Sequence, residues 1–369
     1  MKFICNQCKR EYTEQEARWK CDCGGALSCD FTPSFTKHDI KTNRFNMWRY
    51  DAAYPLKYED LTVTFDEGMT PLVKVPHAKC HLRVKMEYLM PTGSFKDRGT
   101  VMVVNYLLNQ GVRFITEDSS GNAGASVAGY CALGQIPCEI YVPKGNSAGK
   151  LIQIRAYGAN IHEISGSRED VAAAAQEHSD SYAGHNWHPM FLQGTKSAAY
   201  ELWEQNGFEA PDNIVAVAGN GSSILGMYYG FRELLQNGQV TKLPRLFVIQ
   251  AEHCNPIYRE FVGDTSVMPA KPTVAEGIAL RNPNKSSLVT AAVRQTGGTI
   301  ISVTETQIIK ALKQLAALGL YAEPTSAAAY AGLCQLLDHG ILTSHDDIVM
   351  TLSGNGLKAG QEIAELYTL

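Results

Sequence analysis

Lys96 stands in the run PTGSFKDRG (residues 91–99), after small residues and before the charge pair Asp97 and Arg98. A lysine amine adds to carbonyl compounds, and it does so well when neighbouring cations or desolvation favour its neutral form. A solvated helix start would account for a lone lysine here. Three further runs bear on that choice. EDSSGNAG (117–124) carries Ser119, Ser120 and Asn122 where a strand end opens into a small-residue helix, so that backbone N–H groups and hydroxyls together suit a carboxylate. AVAGNGSSILG (216–226) places Gly219, Asn220, Gly221, Ser222 and Ser223 between a strand and a helix. Glycines there let backbone amides converge on a phosphate, and serines add donors without bulk. No Gly-Lys-Ser/Thr follows, so this is not a P-loop, and Ile224 occupies the position a dinucleotide fingerprint gives to glycine. SGNGLK (353–358) sets Ser353 at the C-terminal end of a strand, where α/β sheets place ligand contacts. Taken singly, each of these runs also reads as an ordinary turn.

The elements that must position these residues follow an alternation of short apolar runs with longer helical patterns. VVNYLLNQ, RFITEDSS, AGASVAGYCALG, CEIYVP, KLIQIRAYG, NIHEIS and DVAAAAQEHS form one series; DNIVAVAGNGSSILG, RLFVIQAE, QIIKALKQLAALG and DIVMTLSGNG form a second. That pattern predicts an α/β chain of two units, each a mostly parallel sheet flanked by helices, with ligands expected at a cleft between them. Residues 31–70, rich in aromatics and turn formers and without a clean period, are expected to form an extended arm. The first thirty residues have few aliphatic side chains but carry Cys5 and Cys8 as C-x-x-C, and Cys21 and Cys23 as C-x-C before Gly24 and Gly25. Four thiolates in two close pairs suit tetrahedral zinc, whose binding would supply folding energy that this segment lacks. A ribbon that keeps the cysteines without metal is the alternative, and Cys29 is a spare.

A chain of 369 residues that is 45% hydrophobic can bury a sizeable core. Its net charge of −4 gives no electrostatic case for nucleic acid or an anionic membrane as main partner; a small metabolite is expected instead. MKFICNQCKREYT has charged residues where a signal peptide needs an apolar stretch, and no apolar run is long enough to span a bilayer. A cytoplasmic location with reduced thiols is therefore expected.

Taken together and in order, EGMTPL (67–72), PTGSFKDRG (91–99), SSGNAG (119–124), AGNGSS (218–223), AEPTSAAAYAG (322–332) and SGNGLK (353–358) resemble the fold-type-II enzymes that use pyridoxal 5′-phosphate (PLP), and within them the threonine synthase group. The cysteine ribbon and the MWRY arm are also similar to threonine synthases and the related cysteate synthases. The resemblance implies a two-domain, tryptophan synthase β-like fold: a zinc-ribbon-like segment at 1–30, a large domain from 31–82 plus 190–369, and a small domain at 83–189. It implies that Lys96 holds PLP covalently, that Asn122 bonds the cofactor's 3′-oxygen, that Gly219, Asn220, Gly221, Ser222 and Ser223 hold its phosphate, and that Ser353 faces the pyridine nitrogen. Ser94, Ser119, Ser120, His188 and Phe191 would lie at the substrate, and a homodimer is expected. A hydroxyl at the ring nitrogen makes a weaker electron sink than a carboxylate, which favours eliminations over transamination, with Lys96 as general base.

One segment departs from the family. Where threonine synthases read NPxRLxGxK, with an arginine that grips the substrate's phosphate, this chain reads HPMFLQGTK and carries Phe191. Phenylalanine cannot replace bidentate phosphate recognition. His188 and Lys196 stay in sequence reach as groups for another anion, and AEGIAL (275–280) is closer to the threonine and serine dehydratases. The expected activity is thus PLP-dependent elimination or replacement of the threonine synthase kind, on O-phosphohomoserine or a close variant. Open beside it are a threonine or serine ammonia-lyase, cysteate synthase-like β-replacement on phosphoserine, and a zinc-ribbon PLP-binding regulatory protein without catalysis.

Overall fold

Strands that are apolar on both faces have to be covered on both, and Asn213–Val217 is buried along its whole length. It lies inside a six-stranded sheet ordered Thr299–Val303, Arg245–Ala251, Asn213–Val217, Asp347–Thr351, His81–Lys85 and Leu72–Val75. All neighbours pair in parallel except the last, an antiparallel edge. The Pro324–Asp338 helix packs on this sheet through small residues, with Gly332 so close that a Cβ would stand 2.3 Å from Ile249 Cδ1. The computed structural model describes residues 1–16, 18–145, 148–267 and 271–368, and these strands belong to one compact unit made of Thr70–Phe95 and Ala198–Leu369.

The other unit comprises Met1–Met69 and Lys96–Ser197. Its sheet has three parallel strands, Ile115–Glu117, Cys138–Pro143 and Asn160–Ile164. Beyond Ile115–Glu117 the chain runs alongside once more, with Ala183 N–H donating to Thr116 O at 2.8 Å. The cysteine-rich start forms a small antiparallel sheet with Lys2–Cys5 between Glu11–Thr13 and Leu27–Asp30. Phe3 docks it edge-on against Tyr106, ring centroids 5.7 Å apart.

The parallel α/β layout agrees with the sequence, but the unit boundaries differ from those expected. The arm up to residue 69 and the segment 190–197 cluster with the strands of the Lys96–Ser197 stretch, whereas 83–95 cluster with the six-stranded sheet. Nor is the arm extended: it coils into short 3-10 turns at Lys37–Asp39, Met47–Ala53 and Tyr58–Asp60. A buried carboxylate explains where it docks. Trp48 Nε1 and Tyr130 Oη each donate to Glu67 at 2.6 Å, so an arm residue and a helix residue share one acceptor. Asn105 Oδ1 adds bonds from the Thr62 and Val63 N–H groups at 2.7 and 3.0 Å. Among the described residues no helix is long and apolar enough to cross a membrane.

Candidate active site

In the unit of the six-stranded sheet, the loop before Lys96 is fastened to the end of strand Asp347–Thr351. Phe95 N–H donates to Ser353 O and Asn355 N–H to Gly93 O, both at 3.0 Å, with Ser94 bridging Gly354. Gly93 adopts φ +87°, the left-handed region that disfavours a side chain, and a Cβ there would press on Lys358 Cδ at 3.0 Å. Lys358 Nζ in turn donates to Thr92 O at 2.7 Å. Ser94 is wholly buried, and its Oγ has no hydrogen-bond partner among the described residues. Buried hydroxyls are normally satisfied, which sets this one apart.

Ser353 Oγ stands 3.0 Å from Ser326 Oγ and donates to Glu323 Oε1 at 3.3 Å. Glu323 caps the Pro324–Asp338 helix and approaches so closely that a Cβ on Gly354 would meet its Cδ at 2.2 Å. The carboxylate behind Ser353 was not singled out in the sequence, although it lies in the AEPTSAAAYAG run. The Ser353 hydroxyl is thus held between Ser326 and a buried carboxylate.

The glycine loop also sits where its residue types require. Gly219 leaves little room for a side chain, since a Cβ would stand 3.2 Å from Ile278 Cα. Gly221 takes φ +87° and begins the Ser222–Gln236 helix without any side-chain cap bond. The first turn of a helix presents its backbone amides outward, the arrangement that suits an anion. Asn220 and Ser222 are buried beside them, and Ser223 is partly exposed.

In the other unit Lys96 opens the helix Lys96–Asn109, and Asn122 opens Asn122–Leu133, whose N-terminus at Gly121 likewise lacks a side-chain cap bond. The two helix starts are tied together, with Ser126 Oγ 2.6 Å from Asp97 Oδ1 and 2.8 Å from Thr100 Oγ1. Ser119 and Ser120 are partly exposed on the turn before Asn122. Gly124 allows that turn to fold back, because a Cβ would fall 1.9 Å from Ser119 O.

Phe191 is buried in the short helix Met190–Thr195, its ring centroid 5.7 Å from Lys96 Nζ. The ring fits only because residue 99 is glycine: a Cβ there would stand 2.6 Å from it. Gly194 makes the same crossing possible on the other side, since its Cβ would lie 1.7 Å from Arg98 O. Gly194→Ala is expected to destabilise the protein by at least ~1–3 kcal/mol, the usual cost of overpacking, seen as a lower urea midpoint; an unchanged midpoint would deny this close crossing.

His188 and Lys196 are engaged in packing. The His188 ring is buried edge-on against Tyr106, centroids 5.3 Å apart, and its Nδ1 accepts from Met190 N–H at 3.3 Å. Lys196 Nζ is 5.3 Å from the Phe31 ring centroid. Gln193, by contrast, is buried with an Oε1 that has no partner among the described residues. The sequence signal for it was a polar side chain inside an otherwise apolar short helix.

Glu117 ends the strand Ile115–Glu117 and is wholly buried. Its carboxylate accepts from His185 N–H at 3.2 Å and lies 3.0 Å from His185 Nδ1. Burial pushes this carboxyl up from its usual 4.5 to about 7, against the opposing pull of the His185 N–H and of Lys96. Asp118 beside it is also raised by burial, and Tyr182 Oη donates to it at 2.7 Å.

Apart from this region, the sulfurs of Cys5, Cys8, Cys21 and Cys23 all lie within 4.8 Å of one another. Cys5 and Cys23 are 3.5 Å apart, as are Cys8 and Cys21. Four sulfurs this close together could hold one metal ion between them.

The family model for pyridoxal-phosphate dependent enzymes matches residues 63–354 of this chain. The threonine synthase of Methanosarcina acetivorans is 34% identical over 98% of this chain and 93% of its own length. That of Methanocaldococcus jannaschii is 32% identical over 96% and 92%. Among solved structures, a fungal L-serine ammonia-lyase from Rhizomucor miehei superposes with a TM-score of 0.70 at 20% identity, covering 82% of this chain and 98% of that one. This last likeness is one of fold. Full-length identity above 30%, together with a lysine, an asparagine, a glycine loop and a strand-end serine in the family's order, identifies this chain as a member of the pyridoxal-phosphate dependent enzymes and, within them, of the threonine synthase family.

Proposed function

We propose that the chain catalyses a threonine synthase-type elimination and replacement on a small amino acid, O-phosphohomoserine or a close variant, as a cytoplasmic homodimer with PLP. The observation that carries this reading is the position of Lys96, which follows directly on the Gly93–Phe95 stretch paired with the strand end at Ser353. The residues present fit the cofactor. The uncapped helix start at Gly219–Ser223 would hold its phosphate, Asn122 its 3′-oxygen, Ser353 its ring nitrogen, and the Lys96 amine its carbonyl carbon. When bound, PLP draws electron density from the substrate's α-carbon.

The chain's own groups supply the rest. Ser119, Ser120 and the amides opening Asn122–Leu133 bind the substrate carboxylate, and the buried Ser94 hydroxyl gives a further donor. Lys96 Nζ would take the α-proton, and loss of a group from the γ-carbon would require it to move a β-proton as well. Glu323 orients the Ser353 hydroxyl, the group that would face the ring nitrogen.

The test is product identity. Purified protein with PLP should release phosphate from O-phosphohomoserine and form threonine, without releasing ammonia from threonine or serine. Ammonia and a keto acid from threonine or serine would instead establish the ammonia-lyase reading, which Phe191 favours because it offers no cation to a phosphate. Phosphate release from phosphoserine alone would indicate the β-replacement reading.

Cys5, Cys8, Cys21 and Cys23 are proposed to hold one structural zinc. Purified protein is expected to contain about one zinc per chain, as a Cys₄ site binds one ion, and Cys8→Ser should lose it while keeping PLP. Full zinc content in Cys8→Ser would remove Cys8 from the ligand set.

A further inference from the structure

The acidic pair at the end of strand Ile115–Glu117 has no role in the mechanism just given. Such a strand end is a poor place for an unused carboxylate, because burying a carboxyl is costly unless it is oriented and paired. Glu117 is both: it receives the His185 N–H at 3.2 Å and has His185 Nδ1 at 3.0 Å. The His185 ring packs edge-on against Phe191, centroids 5.9 Å apart, and Phe191 lies 5.7 Å from Lys96 Nζ. The order Glu117, His185, Phe191, Lys96 thus runs unbroken from the strand end to the amine. An apolar ring in place of water lowers the local dielectric screening, so charge on Glu117 is felt at Lys96 more strongly than it would be through water.

We propose that Glu117 and His185 act as one positioning pair for Lys96: the carboxylate, oriented by His185, sets from behind the Phe191 ring how readily the amine gives up and regains its proton. The inference rests on Lys96 being the lysine that holds PLP. Burial moves ionisation of Glu117 to about pH 7, so the negative charge is present above that pH and lost below it. Lys96 is therefore held in its cationic form more firmly at alkaline than at acid pH. The other groups around the pair are Asp118 on the same strand end, Tyr182 and Arg168, whose charge acts on Asp118, together with Asp97 and Arg98 in the first turn of the Lys96 helix. Asp97 is bonded to Ser126 and Arg98 to Ser197.

The experiment measures the protonation of Lys96 in cofactor-free protein, by competitive acetylation across pH with mass spectrometry of the Lys96 peptide. Glu117→Gln should lower the midpoint by about one pH unit, the size expected for removing a charge at this range in a partly shielded site. His185→Gln should shift it in the same direction by less, and Glu117→Asp should restore the wild-type value. The visible band of the PLP-loaded proteins should titrate with the same order of shifts. Midpoints unchanged in Glu117→Gln and His185→Gln, or raised, would overturn the proposal; so would altered melting temperatures without a shift, which is the behaviour of a purely structural pair. A band that persists in Lys96→Ala would instead overturn the underlying assignment of the lysine, a result read without the titration.

Discussion

Lys96→Ala is expected to lower turnover by ~10⁴-fold or more, since it removes both the covalent anchor and the general base. The visible band of bound cofactor should vanish with it, while the far-UV spectrum and melting temperature stay near wild type. The fold has reasons to tolerate the change. Lys96 is the first residue of its helix, and the loop before it is held by backbone bonds of Phe95 and Asn355 that do not involve its side chain. Asp97, one residue on, keeps the helix start tied to Ser126. Small primary amines added to Lys96→Ala should recover part of the α-proton exchange, because they restore a base though not its attachment. Turnover within about tenfold of wild type, well short of the usual contribution of a general base, would end the assignment of Lys96 as that base.

The reach of the sequence can be judged from particular residues. The glycine loop was legible because each glycine answers a local demand: Gly221 needs a left-handed backbone and Gly219 a close approach to Ile278, and both constraints travel with the residue type. Lys96, Asn122 and Ser353 were singled out by the order of their motifs. Glu323 was quoted within a motif yet not recognised, since its importance is its proximity to Ser353, a residue 30 positions away. Glu117 and His185 are separated by 68 positions, and only the pairing of strand Ile115–Glu117 with the segment around Tyr182 brings them together. The docking of the arm was illegible for a similar reason. Glu67 reads as one more acid in a turn-rich stretch until Trp48 and Tyr130 are seen to donate to it.

Phe191→Arg is expected to raise kcat/KM for O-phosphohomoserine by ~10-fold or more, charge-assisted bonds to phosphate being worth roughly 1.5–3 kcal/mol. The wild-type protein should show a high KM for that substrate. Structure limits the gain in two ways. The Phe191 ring lies directly against Gly99, so a flexible guanidinium gives up packing that the ring supplies, and some stability is lost. His185, packed against the ring, is bonded to Glu117, whose charge would compete with phosphate for the new cation. The double variant Phe191→Arg with Glu117→Gln should therefore gain more than the single one, and Phe191→Leu should gain nothing, because it opens space without adding charge. If the wild-type protein already forms threonine efficiently and Phe191→Arg weakens it, phosphate recognition must come from other donors. Gln193 and Ser94 are the first to test, since each is buried with a polar atom lacking a partner among the described residues.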